Sequence, residues 1–353
     1  MSQEEMTPKQ RWLAVLNGEP TDRIPLDYRA TAEVNEMLVQ YLGVDSLRDA
    51  LNHLHVDPVV TVGGRYVGPD LPPDRDAFGI RYADTKYATG IYRDAVEHPL
   101  AEYDTVEEIE RNYEWPSPDW WSYDHIPEQV RGHEEEVIQG GAYEEFLTYK
   151  NLRGAEEAYV DLVQRPEMVH YCMQKLADLA YARIERIYEQ IPGMVIWTWV
   201  AEDFGAQEGL LMSLEHIREF HLPHMKRIIK LVHDAGAYVF HHSDGAIRDN
   251  IPQMIEAGID VLDPVQWRCK GMDRAALKRD FGDQIVFHGA MDNQYTLPFG
   301  TVDEVRQEVI DNLRILGAGG GYILAPCHNI QPITPPENIV AMYETAYEYS
   351  RNT

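Results

Sequence analysis

Eight short runs rich in β-branched and aromatic residues recur along the chain, and helical patterns fill most of the intervals between them. The runs are PLDY (25–28), VVTV (59–62), VIQGG (137–141), VIWTWV (195–200), AYVFH (237–241), VLDPV (261–265), IVFHGA (285–290) and YILAP (322–326). Residues 167–190 carry Met168, Cys172, Leu176, Leu179, Ile184 and Ile187 at helical spacing. Residues 247–257 do the same with Ile247, Ile251, Met254 and Ile255, and Gly258 follows as a C-terminal cap. Residues 302–316 repeat the pattern. Eight strands each followed by a helix is the count of a closed (β/α)8 barrel. The expected class is therefore α/β, a (β/α)8 TIM barrel forming one domain over 1–353.

At 353 residues the chain exceeds a bare barrel of ~250 residues, so insertions are expected. The largest, 64–130, follows the second strand. It is rich in Tyr, Pro, Trp and acid (GIRYADTKYATGIYRDAVEHPL, then WPSPDWWSYD) and reads as a β-hairpin plus an irregular cover beside the barrel mouth, or as surface elaboration.

The formal charge of −28 argues against nucleic acid and anionic membrane as partners, since both demand basic surface. No apolar run approaches the ~18 residues of a membrane helix, and MSQEEMTPKQRW lacks the apolar core of a signal peptide. Three widely separated cysteines (Cys172, Cys269, Cys327) make no disulfide framework, which points to a reducing cytoplasm.

In a barrel, side chains at the carboxyl ends of the strands build the active site. Those ends carry Asp27; Glu202 and Asp203; His242 and Asp244; Gln266; His288, Asp292 and Gln294; and Cys327, His328 and Gln331. The strand starts show glycine, alanine and ordinary charge. His241 and His242 are adjacent and must point to opposite faces, whereas His242 and Asp244 can aim the same way. Imidazole, carboxylate and thiolate are the ligand set of zinc, so His242, Asp244 and Cys327 are candidate ligands of a catalytic site with one open position. Alternatively, His242 and Asp244 hydrogen-bond each other and Cys327 is a small buried hydrophobe. Two other signals fail. DFG (203–205) lacks the other kinase motifs, and GAGGGY (317–322) lacks the GK[ST] of a P-loop and reads as a tight turn.

Five segments together resemble the uroporphyrinogen decarboxylase superfamily from about residue 8 to 350: RWLAVLNGEPTDRIPLDY, DFGAQEGLLMS, FHHSDGAIRDNIPQMIEAGIDVLDPVQ, FGDQIVFHGAMDNQYTLPFGT and GGGYILAPCHNIQPITPPENIVAMYE. The resemblance implies a (β/α)8 barrel and either of two activities. True decarboxylases of the haem pathway grip a polyanionic porphyrinogen with an arginine-rich MRQAGR-type motif, where this chain has PLDYRATAEV with Arg29 alone. Zinc methyltransferases of the superfamily work with corrinoid proteins and carry His-x-Cys plus a later Cys. His242 and Cys327 match that pattern, and Asp244 replaces the middle Cys. Asp for Cys trades a soft donor for a hard one, which favours an oxygen-bearing substrate over a thiol.

The resemblance thus implies a zinc-dependent methyltransferase or demethylase that moves a methyl group from a small methoxy or methylated substrate to a corrinoid protein. Asp203, His288 and Asp292 would handle protons in that reaction. Asp27, Glu202, Gln266, Gln294, His328 and Gln331 would contact substrate. The alternatives are a porphyrinogen decarboxylase, with Asp27 stabilising a protonated pyrrole, and a non-catalytic barrel that binds a small ligand.

Overall fold

The computed structural model describes residues 5–87 and 90–351. Seven strands form one sheet: β1 (Val59–Val62), β2 (Val137–Tyr143), β3 (Trp197–Val200), β4 (Tyr238–His242), β5 (Val261–Asp263), β6 (Val286–Met291) and β7 (Tyr322–Pro326). Their spatial order follows the chain order, and every pairing is parallel. The sheet curls in the manner of a TIM barrel.

The eighth expected strand, 25–28, is reduced to a single parallel bridge, Leu26 to Leu324. Asp27 N donates to Leu324 O at 2.9 Å and Leu324 N to Pro25 O at 3.1 Å. On its other side Asp57 N, just ahead of β1, donates to Leu26 O at 2.9 Å. Pro25 has no N–H to give, which limits the ladder at this stave.

Strand alternation sorts the barrel interior into two layers. The lower layer is apolar: Val137, Trp197, Phe240, Val261, Val286 and Ile323 cluster with Trp12 and Val15 of the helix Pro8–Leu16. Trp12 stacks on Phe240 with centroids 5.9 Å apart, and Phe240 on Trp197 at 4.3 Å. That helix closes the end where the strands begin, and Thr7 caps it with Gln10 in a capping box. Two residues further along the same strand faces stand Trp199, His242, Asp263 and His288. The interior therefore changes from hydrocarbon to charge within one strand period.

Outside the sheet, the helix Pro166–Gln190 buries all six apolar residues expected of it. The 64–130 segment contains the antiparallel hairpin Arg81–Tyr87 with Gly90–Glu97. Its contacts run to outer helices. Arg183 lies 4.3 Å over Trp121, Arg186 Nη1 donates to Pro118 O at 2.6 Å, and Leu100 N donates to Leu152 O at 2.9 Å. Among the described residues no helix is long and apolar enough to cross a membrane.

Candidate metal centre

The hub of the upper interior layer is Asp263, fully buried. Its Oδ2 accepts from His242 Nδ1 at 2.9 Å and from Arg29 Nη1 at 2.8 Å, and its Oδ1 accepts from His288 Nδ1 at 2.5 Å. His288 Nε2 lies 3.1 Å from Asp27 Oδ2, and Arg29 Nε 3.2 Å from the same oxygen. The Arg29 guanidinium also sits 4.6 Å over the Trp199 ring, which stacks on His242 at 5.1 Å. Burial alone would push Asp263 up, but Arg29, His288 and His242 outweigh it and hold the carboxyl well below its usual range.

The loops after β3 and β4 are drawn together by two glycines. A Cβ on Gly205 would stand 2.5 Å from Asp244 O, and one on Gly245 2.5 Å from the Gly205 carbonyl carbon. Gly245 also has φ +88°, a left-handed backbone that suits glycine. The approach is fixed by Ala246 N donating to Ala206 O at 2.8 Å and Asp244 N to Asp203 Oδ1 at 2.9 Å.

As a result Asp203 and Asp244 converge on the nitrogen of His242 that Asp263 leaves unused. His242 Nε2 lies 3.7 Å from Asp203 Oδ1 and 3.9 Å from Asp244 Oδ1, and one donor atom from each residue falls within 4.8 Å of the others. Asp244 Oδ1 is buried and has no hydrogen-bond partner among the described residues. Burial, with help from Asp203 and Asp263 and against His242, pushes Asp244 up to about 6. Burial lowers His242, yet the bond to Asp263 and the charges of Asp263, Asp244 and Asp203 carry it up to about 9. A divalent cation fits this donor set, because it would balance the carboxylates and give the bare oxygen a partner.

Cys327 is not one of this group. Its Sγ donates to Val265 O at 3.4 Å, and it lines a small cavity with Gln266, Cys269, Asp292 and Gln294. Asp203, expected to move protons, is instead the third member of the group around His242. His288 is fully buried with both nitrogens engaged by carboxylates, so it braces the network. Asp292 holds its own turn: it accepts from Arg268 Nε at 2.5 Å, Gln294 N at 3.0 Å and Thr296 N at 3.1 Å.

Gln266 Oε1 accepts from Gly245 N at 2.6 Å and so steadies the loop of Asp244. Glu202 Oε2 accepts from Phe146 N at 2.9 Å, and burial pushes its carboxyl up to about 8. Gln331 Nε2 donates to Asn329 O at 3.1 Å. His328 stays near the centre, its ring 6.3 Å from that of His242. His241 points away, as strand alternation requires: Nδ1 donates to Val200 O at 2.8 Å, and the ring lies 6.0 Å from Phe204.

Three central residues escaped the sequence reading: Asp263, Trp199 and the structural role of Arg29. Asp263 had a signal, since an aspartate inside the apolar run VLDPV is a buried charge that must be paired.

The family model for uroporphyrinogen decarboxylase (URO-D) matches residues 147–349. The chain belongs to the uroporphyrinogen decarboxylase family. Similar curated members are the uroporphyrinogen decarboxylases of Pseudoalteromonas translucida, 25% identical over 227 residues, and Nostoc punctiforme, 29% identical over 217 residues. Those matches take in 61% and 60% of this chain and 55% and 54% of the relatives, so the chain spans little more than half of their length. In three dimensions the chain is similar to a methyltransferase from Methanosarcina mazei, with a TM-score of 0.68, 18% identity, and 98% and 99% of the two chains covered, a likeness of fold. The stretch matched to the uroporphyrinogen decarboxylase family takes in Asp203, His242, Asp244 and Asp263, while Asp27 and Arg29 precede it.

Proposed function

We propose that this protein is a metal-dependent methyltransferase that moves a methyl group from a small methoxy or methylated substrate to a corrinoid carried by a partner protein. The observation that carries the reading is the convergence of His242, Asp203 and Asp244 at the strand ends, with Asp244 Oδ1 buried and bare. One imidazole and two carboxylates suit zinc, or another divalent ion at home with nitrogen and oxygen donors. A metal bound there supplies Lewis acidity to the heteroatom that bears the methyl group.

The protein's own residues set that chemistry up. Asp263 accepts a hydrogen bond from Nδ1 of His242 and so presents Nε2. Arg29 and Trp199 hold the ring from the side. His328, with its ring 6.3 Å from that of His242, is the group we assign to hydrogen-bonding the heteroatom of the substrate. We read the curled sheet plus Pro25–Asp27 as a closed eight-stave barrel. The 64–130 insertion leaves the carboxyl end of β1, and we place part of it beside the mouth. Three free, buried cysteines suit a reducing, cytoplasmic setting.

The methyltransferase name of the Methanosarcina structure agrees with this reading. The decarboxylase reading draws on the names of the curated relatives, yet the arginine it would need is tied to Asp263 and Asp27. The deciding experiment combines metal analysis of the purified protein with methylation of free cob(I)alamin by a panel of methyl ethers and methylamines, followed by absorbance. Stoichiometric metal and methyl transfer support the proposal. Loss of CO2 from a porphyrinogen by metal-free protein, without methyl transfer, replaces it with the decarboxylase.

A further inference from the structure

We infer that a cleft on the outer rim of the mouth binds a small zwitterion, an α-amino acid with an aromatic side chain. The cleft holds about 420 Å³, within the ~300–1,000 Å³ usual for small-molecule sites. Loops that follow β5 and β6 supply its walls, and the helix Val302–Ile315 supplies its floor. None of Asp203, His242 and Asp244 lines it. Trp267 and Arg268 wall it off from the smaller cavity of Gln266 and Cys327.

One wall is a stack of cations on an indole. Arg268 and Arg274 lie 4.4 and 4.2 Å from the Trp267 ring centroid. Arg268 is already engaged: Nε donates to Asp292 Oδ2 at 2.5 Å and Nη2 to Thr296 Oγ1 at 3.0 Å. Arg274 is not neutralised. Its Nη1 donates to Asn312 Oδ1 at 2.5 Å, while Nε and Nη2 have no partner among the described residues. Those two nitrogens form the edge that pairs side-on with a carboxylate. The second wall is aromatic. Tyr295 and Phe299 are four residues apart, with Phe299 N donating to Tyr295 O at 2.9 Å, so both rings leave the turn on one side. They are 60 and 67% exposed, and an exposed aromatic pair beside a cleft marks a binding surface.

The floor is acidic. Glu304 and Asp311 are seven residues apart on one helix and share a face. Each has one oxygen engaged: Glu304 Oε2 accepts from Thr301 N at 2.7 Å, and Asp311 Oδ1 from Gln307 Nε2 at 2.9 Å. Glu304 Oε1 and Asp311 Oδ2 have no partner among the described residues. The unspent groups of the cleft therefore carry both signs. A simple anion would face the two acids, and a simple cation would face Arg274. An amino acid satisfies both, with its carboxylate on Arg274 and its ammonium on the floor. An aromatic side chain would then pack on Tyr295 and Phe299.

The test titrates the whole protein with L-phenylalanine, L-tyrosine and L-tryptophan by calorimetry. At least one should bind saturably, with a Kd of about 1 mM or tighter. For phenylalanine, the analogue without the carboxylate (phenethylamine) and the one without the ammonium (N-acetyl-L-phenylalanine) should each bind at least tenfold more weakly. Arg274→Gln and Phe299→Ala should weaken binding by a similar factor. Asp203→Ala should leave it unchanged, which separates the cleft from the metal centre. No saturable binding by any of the three overturns the proposal. So does equal binding of the two truncated analogues, full binding in Arg274→Gln, or loss of binding in Asp203→Ala.

Discussion

His242 Nδ1 donates to Asp263 Oδ2 at 2.9 Å, and this bond decides which nitrogen the ring shows to Asp203 and Asp244. A carboxylate behind an imidazole fixes its tautomer and orientation and raises its basicity as a ligand. Asp263→Asn should therefore weaken metal binding about 10- to 100-fold, read by competition with a chromogenic chelator. The substitution also removes the charge opposite Arg29 and His288, so unfolding by urea should show a loss of a few kcal/mol. Unchanged metal affinity would mean that Asp263 serves the fold alone.

The ligand set is testable by comparing two positions. Asp203→Ala should strip the metal from the purified protein. Cys327→Ser should retain it, because the thiol donates to Val265 O and stands outside the ligand group. Metal analysis of both variants, side by side, checks this. Loss of metal in Cys327→Ser and its retention in Asp203→Ala would restore a His–Asp–Cys centre.

Gly205 and Gly245 are the second handle on the site. Alanine at 205 would put a methyl group 2.5 Å from the Asp244 carbonyl oxygen, so the two ligand loops would have to part. Gly205→Ala should lower metal affinity at least tenfold while the barrel stays folded, judged by circular dichroism and a metal titration. Gly245→Ala adds backbone strain at φ +88°, worth about 1–2 kcal/mol, and should also lower the melting temperature. Full metal affinity in Gly205→Ala would show that these loops need no close crossing.

Periodicity made the scaffold legible. Seven of the eight expected runs are strands in the expected order, and the helix over 167–190 buries the expected face. The eighth run failed as a strand because a ladder with one bridge leaves no mark in a four-residue pattern that contains proline. Site legibility followed one rule. Side chains whose position depends on strand alternation, such as His242 against His241, were readable. The directions of Cys327 and Asp203 depend instead on loop conformation, which no strand period supplies. Asp263 was overlooked although it lies two residues past Val261 on the inward face. The same alternation that placed His242 applies to it.

His241 and His221 give the fold an acid-sensitive limb that does not depend on the metal. Both are buried, and the Nε2 of each has no partner among the described residues. His221 is wedged against Phe146 and Phe204, with centroids 5.0 and 5.1 Å away. Burial pushes His221 down to about 3, and it pushes His241 down to about 4 against the pull of the Val200 carbonyl. An unfolded histidine titrates near ~6.5, so between there and the folded values the unfolded chain binds more protons. The neutral rings thus contribute stability that is fully present above about pH 6.5 and is lost as pH falls toward 3–4. Each should contribute a slope of about 1.4 kcal/mol per pH unit in that window. His221→Phe keeps an aromatic ring in an aromatic pocket and removes the titration. Urea unfolding at about pH 6.5, 5.5 and 4.5 should therefore show the variant losing stability less steeply than the wild-type protein, by about that slope. Parallel pH dependence in the two proteins would mean that His221 takes up its proton inside the folded barrel.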